Sequence, residues 1–337
     1  MAIALKRIIM FRSDALIITI IYGLVVGGFA ISLKIGPVPV SLIDALAAVT
    51  HPVWDSNAII VWDLRLPRSM MCVLVGGALA LAGAALQSFL RNPLAEPSIV
   101  GISSTAALGA VISIASGFHA FGALSTPGLA FVGGLAGGIV LASAAFKIKN
   151  TNNLILVGVG ISSISGAVTS LILSLSDNPF AINEIVFWML GSLTDVSLFH
   201  TAIVAPFVLV GGALLLGCRR DLNLLSLGGD TAATIGVVMN SLKYRVVIGT
   251  ALTVSAVTAI VGIIGFIGLM TPHIARPLAR NEPGKTLAYS IPIGALIVLL
   301  ADIAVRLTPT AGEMKLGVFT ALLGTPFFLY LIKRQSG

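Results

Sequence analysis

The chain alternates between long apolar runs and short clusters of polar, Gly and Pro residues. A bilayer-crossing helix needs roughly 20 apolar residues. Ten runs fit, at about 15–33, 69–90, 98–116, 128–146, 154–175, 200–218, 246–262, 263–279, 287–306 and 316–332. The seventh and eighth form one continuous run, interrupted by Gly262, Gly265 and Gly268 and then by Pro272. No Pro- or Ser-rich linker divides the pattern, so residues 1–337 are read as a single transmembrane domain. The expected fold class is all-α and integral to the membrane.

Two polar interruptions carry the chemistry. The first is LRNPLAEPSIVGISS (90–104). Pro93 and Pro97 exclude a continuous helix, and Arg91 and Glu96 are costly in hydrocarbon when unpaired. This stretch must turn in water or line a protein-walled cavity. The second is 219–245, the longest polar segment, whose Leu224, Leu225, Leu227 and Ile235 are too sparse to span. Asp230 is placed to cap a short helix, TAATIG, ended by Gly236. Such a helix suits a partner's surface or the lipid interface.

Composition and charge sharpen the reading. The chain is 57% hydrophobic and 10% charged, against about 25% charged in soluble domains. The net charge of +7 reads as basic cytoplasmic loops and not as a nucleic-acid footprint. With the N-terminus inside and ten crossings, the inner side collects fifteen Lys and Arg residues, and only Lys34, Arg65, Arg68, Arg306 and Lys315 fall outside. Both termini are therefore expected in the cytoplasm. The N-terminus could pass for a signal peptide, but the many spans that follow favour an uncleaved first helix. Cys72 and Cys218 lie in or at the end of apolar runs, form no CxxC and read as buried bystanders.

No catalytic constellation is visible. HExxH and GxSxG are absent, and His51, His119, His200 and His273 are scattered, so no metal site is read. ARNEPGKT (279–286) ends like a phosphate loop, but Ala279 replaces the required Gly and the segment joins two apolar runs. It reads as a Pro-Gly turn. Asp302 is the best intramembrane carboxylate for an ion-coupled secondary transporter, and it stands alone near the outer end of its run. A faint echo links IVGISSTAALGAV (99–111) and LVGVGISSISGAV (156–168); duplication and helix-contact packing explain it equally well.

Several motifs, in order, resemble the FecCD-type permeases of bacterial ABC importers for iron chelates, haem and vitamin B12. They are LRLPR (64–68), GALALAGAALQSFLRNPLAEPSIVGISSTAALG (77–109), VFWMLGSL (186–193), LLSLGGDTAATIG (224–236), GFIGLMTPHIARPLAR (265–280), LLADIAVR (299–306) and GVFTALLGTPFFLYLI (317–332). The resemblance implies the type II ABC importer permease architecture, about ten transmembrane helices per subunit and a bacterial cytoplasmic (inner) membrane location. It implies a homodimer with the translocation path between subunits, two cytoplasmic ABC ATPases and a periplasmic or lipid-anchored substrate-binding protein. ATP and Mg would belong to the ATPase, with no cofactor bound by this chain, which is then a transport subunit and not an enzyme. Asn92 and Leu94 match one cytoplasmic gate constriction, and Thr151 and Asn152 a second. Leu225, Leu227, Gly228, Gly229, Asp230, Thr231 and Ala232 match the ATPase-coupling element. Arg65, Arg68 and Arg306 match binding-protein docking positions, facing outward, with snorkelling at the outer headgroups as the plain alternative. Trp188, after the fifth span, is expected either to anchor at the outer interface or to line the outer vestibule. A ferric siderophore or haem is the expected substrate, with vitamin B12 or an oxyanion as alternatives on the same architecture.

Overall fold

A computed structural model describes residues 2–50, 56–147, 152–308 and 314–335. Among them the regular structure is entirely helical. In chain order the helices are α1 (Ala2–Lys34), α2 (Leu42–Thr50), α3 (Ser56–Ile59), α4 (Leu66–Leu90), α5 (Ile102–Ser116), α6 (Ser125–Lys147), α7 (Asn152–Leu175) and α8 (Pro179–Met189). There follow α9 (Leu198–Gly217), α10 (Arg219–Leu225), α11 (Gly229–Thr234), α12 (Met239–Val261), α13 (Ile267–Leu278), α14 (Pro283–Leu307) and α15 (Leu316–Gln335). A π-helical turn, Ile60–Arg65, joins α3 to α4.

Each of the ten apolar runs has its helix, and among the described residues seven helices are long and apolar enough to cross a membrane. The core is built around α4, α12 and α14, whose apolar stretches are 83%, 72% and 67% buried, whereas α7 is 17% buried and belongs to the periphery. Lipid tails are as apolar as leucine, so close backbone approach at small residues replaces hydrophobic drive between membrane helices. A methyl at Gly76 of α4 would lie 2.2 Å from the Gly294 carbonyl oxygen of α14, and one at Gly83 would lie 2.0 Å from that of Gly268 in α13.

Two crossings are broken. With 15 residues in α5 and 12 in α13, a rise of 1.5 Å per residue gives about 22 and 18 Å, short of a core roughly 30 Å thick. The remainder is irregular backbone, 91–101 before α5 and 262–266 before α13. Their corners include non-glycine residues in the left-handed region, Arg91 (φ 50°) and Phe266 (φ 68°), which persist only when surrounding contacts over-determine them. The run predicted as 98–116 is thus helical only from Ile102. The pattern did not anticipate α2, α3 or α8. For α8 a signal was present: Asn178 caps it, its Oδ1 accepting from the Phe180 N–H at 3.0 Å, and Pro179 occupies the first turn.

Candidate functional site

At the inner end of α4 the chain folds into an elbow. The Asn92 Oδ1 accepts the Leu94 N–H at 2.9 Å, and the Ala95 N–H donates to the Asn92 carbonyl at 3.2 Å. Asn92 therefore braces the turn, while Leu94 projects, 42% exposed. Thr151 lies outside the described residues. Asn152 opens α7, so the second predicted constriction is placed only by its backbone.

The two broken crossings are sewn together. Buried Glu96 accepts the Phe266 N–H at 2.9 Å, at the start of α13. Midway along α13, His273 Nε2 donates to the Pro93 carbonyl at 3.1 Å. Near its end, Arg276 donates to Gln87 Oε1 at 2.6 Å, and Gln87 Nε2 donates to the Gly268 and Leu269 carbonyls at 3.3 and 3.2 Å. Glu96 is thus tolerated because the irregular backbone supplies its donor. A cavity of about 330 Å³ lies where the elbow, α13 and the segment after α10 meet, bordered by Arg91, Pro93, Ser226 and Arg276.

The coupling segment is two short helices, α10 and α11. One expectation is corrected here: Asp230 does not cap α11. Gly228, at φ 115°, holds the cap position without a side-chain bond, because the left-handed conformation that opens the helix falls on a glycine. Asp230 instead stands exposed in the first turn, where its charge suits the helix N-terminus. Gly236, at φ 95°, does close the turn. Leu225 and Ala232 pack into the core, while Leu227 (64%), Val238 (69%), Ile235, Asp230 and Thr231 are exposed. Val238, the residue before α12, was not singled out in the sequence. Cys218, at the head of α10, is buried in the core.

The turn after α13 meets this segment. Asn223 Nδ2 donates to Glu282 Oε1 at 3.1 Å, its Oδ1 accepts the Gly284 N–H at 2.6 Å, and Arg219 Nε donates to the Gly284 carbonyl at 2.9 Å. Lys285 pairs with Asp14 and Glu282 at 3.0 and 3.1 Å. The residues resembling a phosphate loop are therefore engaged in a packed turn.

At the outer end the three arginines do not face outward as expected; they turn inward. Arg65 is 4% exposed and donates to the carbonyls of Leu33 (2.9 Å), Lys34 (2.6 Å) and Val38. Arg306 donates to the Ser32 and Ile35 carbonyls at 2.9 and 2.7 Å. Asp302, fully buried, pairs with Arg68 at 2.7 Å and Arg306 at 2.9 Å. The physical reason is the turn after α1: it contains Pro37 and Pro39, which carry no N–H, and its carbonyls lack partners that the guanidiniums supply. Asp302, the candidate for ion coupling, is held by two cations. The three arginines still border a cavity of about 410 Å³ with Gly36 and Thr194. Trp188 lines a larger outer cavity of about 760 Å³ with His119, Glu184, Asp195, His200 and Lys315. Among the described residues no group of three or more His, Cys, Asp or Glu could hold a metal.

Comparison with known proteins matches the whole of this architecture. The model of the FecCD transport family covers residues 24–334. The Fe(3+)-citrate import system permease YfmD of Bacillus subtilis is 32% identical over 96% of both chains. The cobalamin import permease BtuC of Halobacterium salinarum is 33% identical over 89% of this chain and 80% of its own. The Fe(3+) dicitrate transport permease FecC of Escherichia coli is 32% identical over 89% of this chain and 91% of its own. A solved structure described as a metal-chelate type ABC transporter in an inward-facing conformation superposes with TM-score 0.83 and 30% identity, covering 94% of this chain and 99% of its own. A multi-pass helical chain with two broken crossings, matched from Leu24 to Arg334, belongs to the FecCD transport family of ABC importer permeases.

Proposed function

We propose that this permease forms, as a homodimer, the path through which a ferric chelate such as a siderophore or citrate complex enters the cytoplasm. The observation that carries the reading is the near full-length likeness to a metal-chelate type transporter, supported by the 96% coverage shared with an Fe(3+)-citrate permease. Permeases of ABC importers work with ATPase subunits and binding proteins. Here the exposed face of α11, with Leu227, Ile235 and Val238 beside it, is the surface for the ATPase. Asn92 and Leu94, with Thr151 and Asn152, form the inner gate. Arg65, Arg68 and Arg306 border an outer cavity, and guanidiniums at its wall suit an acidic side chain of the binding protein. Trp188 belongs to the outer vestibule.

The test is uptake by proteoliposomes that hold the permease, its ATPase and enclosed ATP, with binding protein outside. Radiolabelled ferric citrate, a ferric hydroxamate, haem and cyanocobalamin are compared. The expected result is ATP-dependent accumulation of a ferric chelate by a two-plus-two complex. Uptake of cobalamin alone, or uptake driven by an ion gradient without ATP, would overturn the reading.

A further inference from the structure

We propose that Asn223 is a positioning residue that ties the coupling segment to the inner elbow, by way of the head of α14, the 279–282 turn before it and α13. The proposal rests on the reading of α10 and α11 as the ATPase-facing element.

The tie has two joints. At the first, the carboxamide of Asn223 grips the head of α14, donating to Glu282 Oε1 at its N-cap and accepting from the Gly284 N–H in its first turn. Gly284 is needed for that approach, since a methyl there would lie 3.0 Å from both the Arg219 carbonyl oxygen and Asn223 Oδ1. The turn is rigid and continuous with α13. Arg280 and Asn281 are both left-handed (φ 53° and 60°), the Asn281 N–H donates to the Arg276 carbonyl at 2.8 Å, and the Glu282 N–H donates to that of Ala279 at 3.0 Å. A displacement of α10 therefore reaches α13 through the turn as a unit.

At the second joint α13 holds the elbow at two levels, through Phe266 with Glu96 and His273 with Pro93, and holds the end of α4 through Arg276 with Gln87. Farther along, α14 is packed backbone against backbone on α4 at Gly76 and Gly294, as α13 is at Gly83 and Gly268, and the far end of α14 is pinned by Asp302 between Arg68 and Arg306. Of the two helices that meet at the turn, α13 is the one bonded to the elbow, and small shifts are amplified where packed elements have discrete arrangements.

The test follows the elbow directly. In the complex of full-length permease and ATPase, Leu94→Cys reports the elbow by its labelling rate with fluorescein maleimide. Native Cys72 and Cys218 are buried and stay silent. In the Leu94→Cys parent, Mg-ATP with vanadate is expected to change the rate by about tenfold, as a shifted two-state equilibrium requires. Adding Asn223→Leu is expected to abolish the response while the ATPase still copurifies. Glu282→Gln keeps the acceptor oxygen and is expected to keep the response. His273→Ala, at the second joint, is expected to abolish it as well, so a folding failure of one variant does not decide the matter. A full response in Asn223→Leu or in His273→Ala would overturn the tie. Failure of the parent to copurify with the ATPase, or a parent that does not respond, would overturn the underlying reading of the coupling segment and gate, and the tie with it.

Discussion

The two ends of α4 carry polar clusters of opposite character. At the outer end, charges dominate: Arg65, Arg68 and Arg306 are bound to backbone carbonyls and to one buried carboxylate, Asp302. At the inner end, single charges meet neutral partners between elements: Glu96 accepts the Phe266 N–H, Arg276 donates to Gln87, and Asn223 donates to Glu282. Charge-assisted bonds in a low-dielectric interior are stronger than neutral ones, and an unmade one is costly. The outer cluster is a knot that fixes α1, α4 and α14 together. The inner cluster is a joint, held by separate hydrogen bonds worth about 1–3 kcal/mol each, which an ATP-driven motion can rearrange one by one.

The largest expected effect comes from breaking the knot. Asp302→Ala leaves buried guanidiniums without their carboxylate, which costs about 3–5 kcal/mol when one partner of a buried pair is removed. The variant is expected to lose most of its yield of folded protein and to melt well below the parent in a thermal-shift assay. An unchanged melting temperature would show that the knot is not what fixes the outer end.

The smallest effect on stability is expected at the exposed inner face. Leu227→Asp removes a side chain that is 64% exposed, and surface changes of this kind cost within about 0.5 kcal/mol. Melting should not change, whereas capture of the ATPase on an affinity resin should fall sharply. Full capture would move the partner surface away from α11.

Part of this contrast was legible in the sequence. Ten apolar runs gave ten helices because bilayer length is a strong constraint on any chain, and the elbow was marked by Pro93 and Pro97. The direction of the arginines was not legible. Counting Arg65, Arg68 and Arg306 as outer charges says nothing of the carbonyls that Arg65 and Arg306 satisfy, 27–32 and 271–274 residues away in sequence. Asp230 as a cap failed for a similar reason, since the choice between it and Gly228 depends on a backbone angle. The tie through Asn223 joins residues some 60 positions apart, and no local pattern encodes such a contact.

Hydrogen–deuterium exchange on the assembled permease and ATPase, with and without Mg-ATP and vanadate, tests the contrast between knot and joint most directly. Slowest exchange and no nucleotide effect are predicted for 32–36, 65–69 and 302–306. A clear nucleotide-dependent change is predicted for 91–101, 219–236 and 262–284. Equal changes at both ends, or a change confined to the outer segments, would contradict the account.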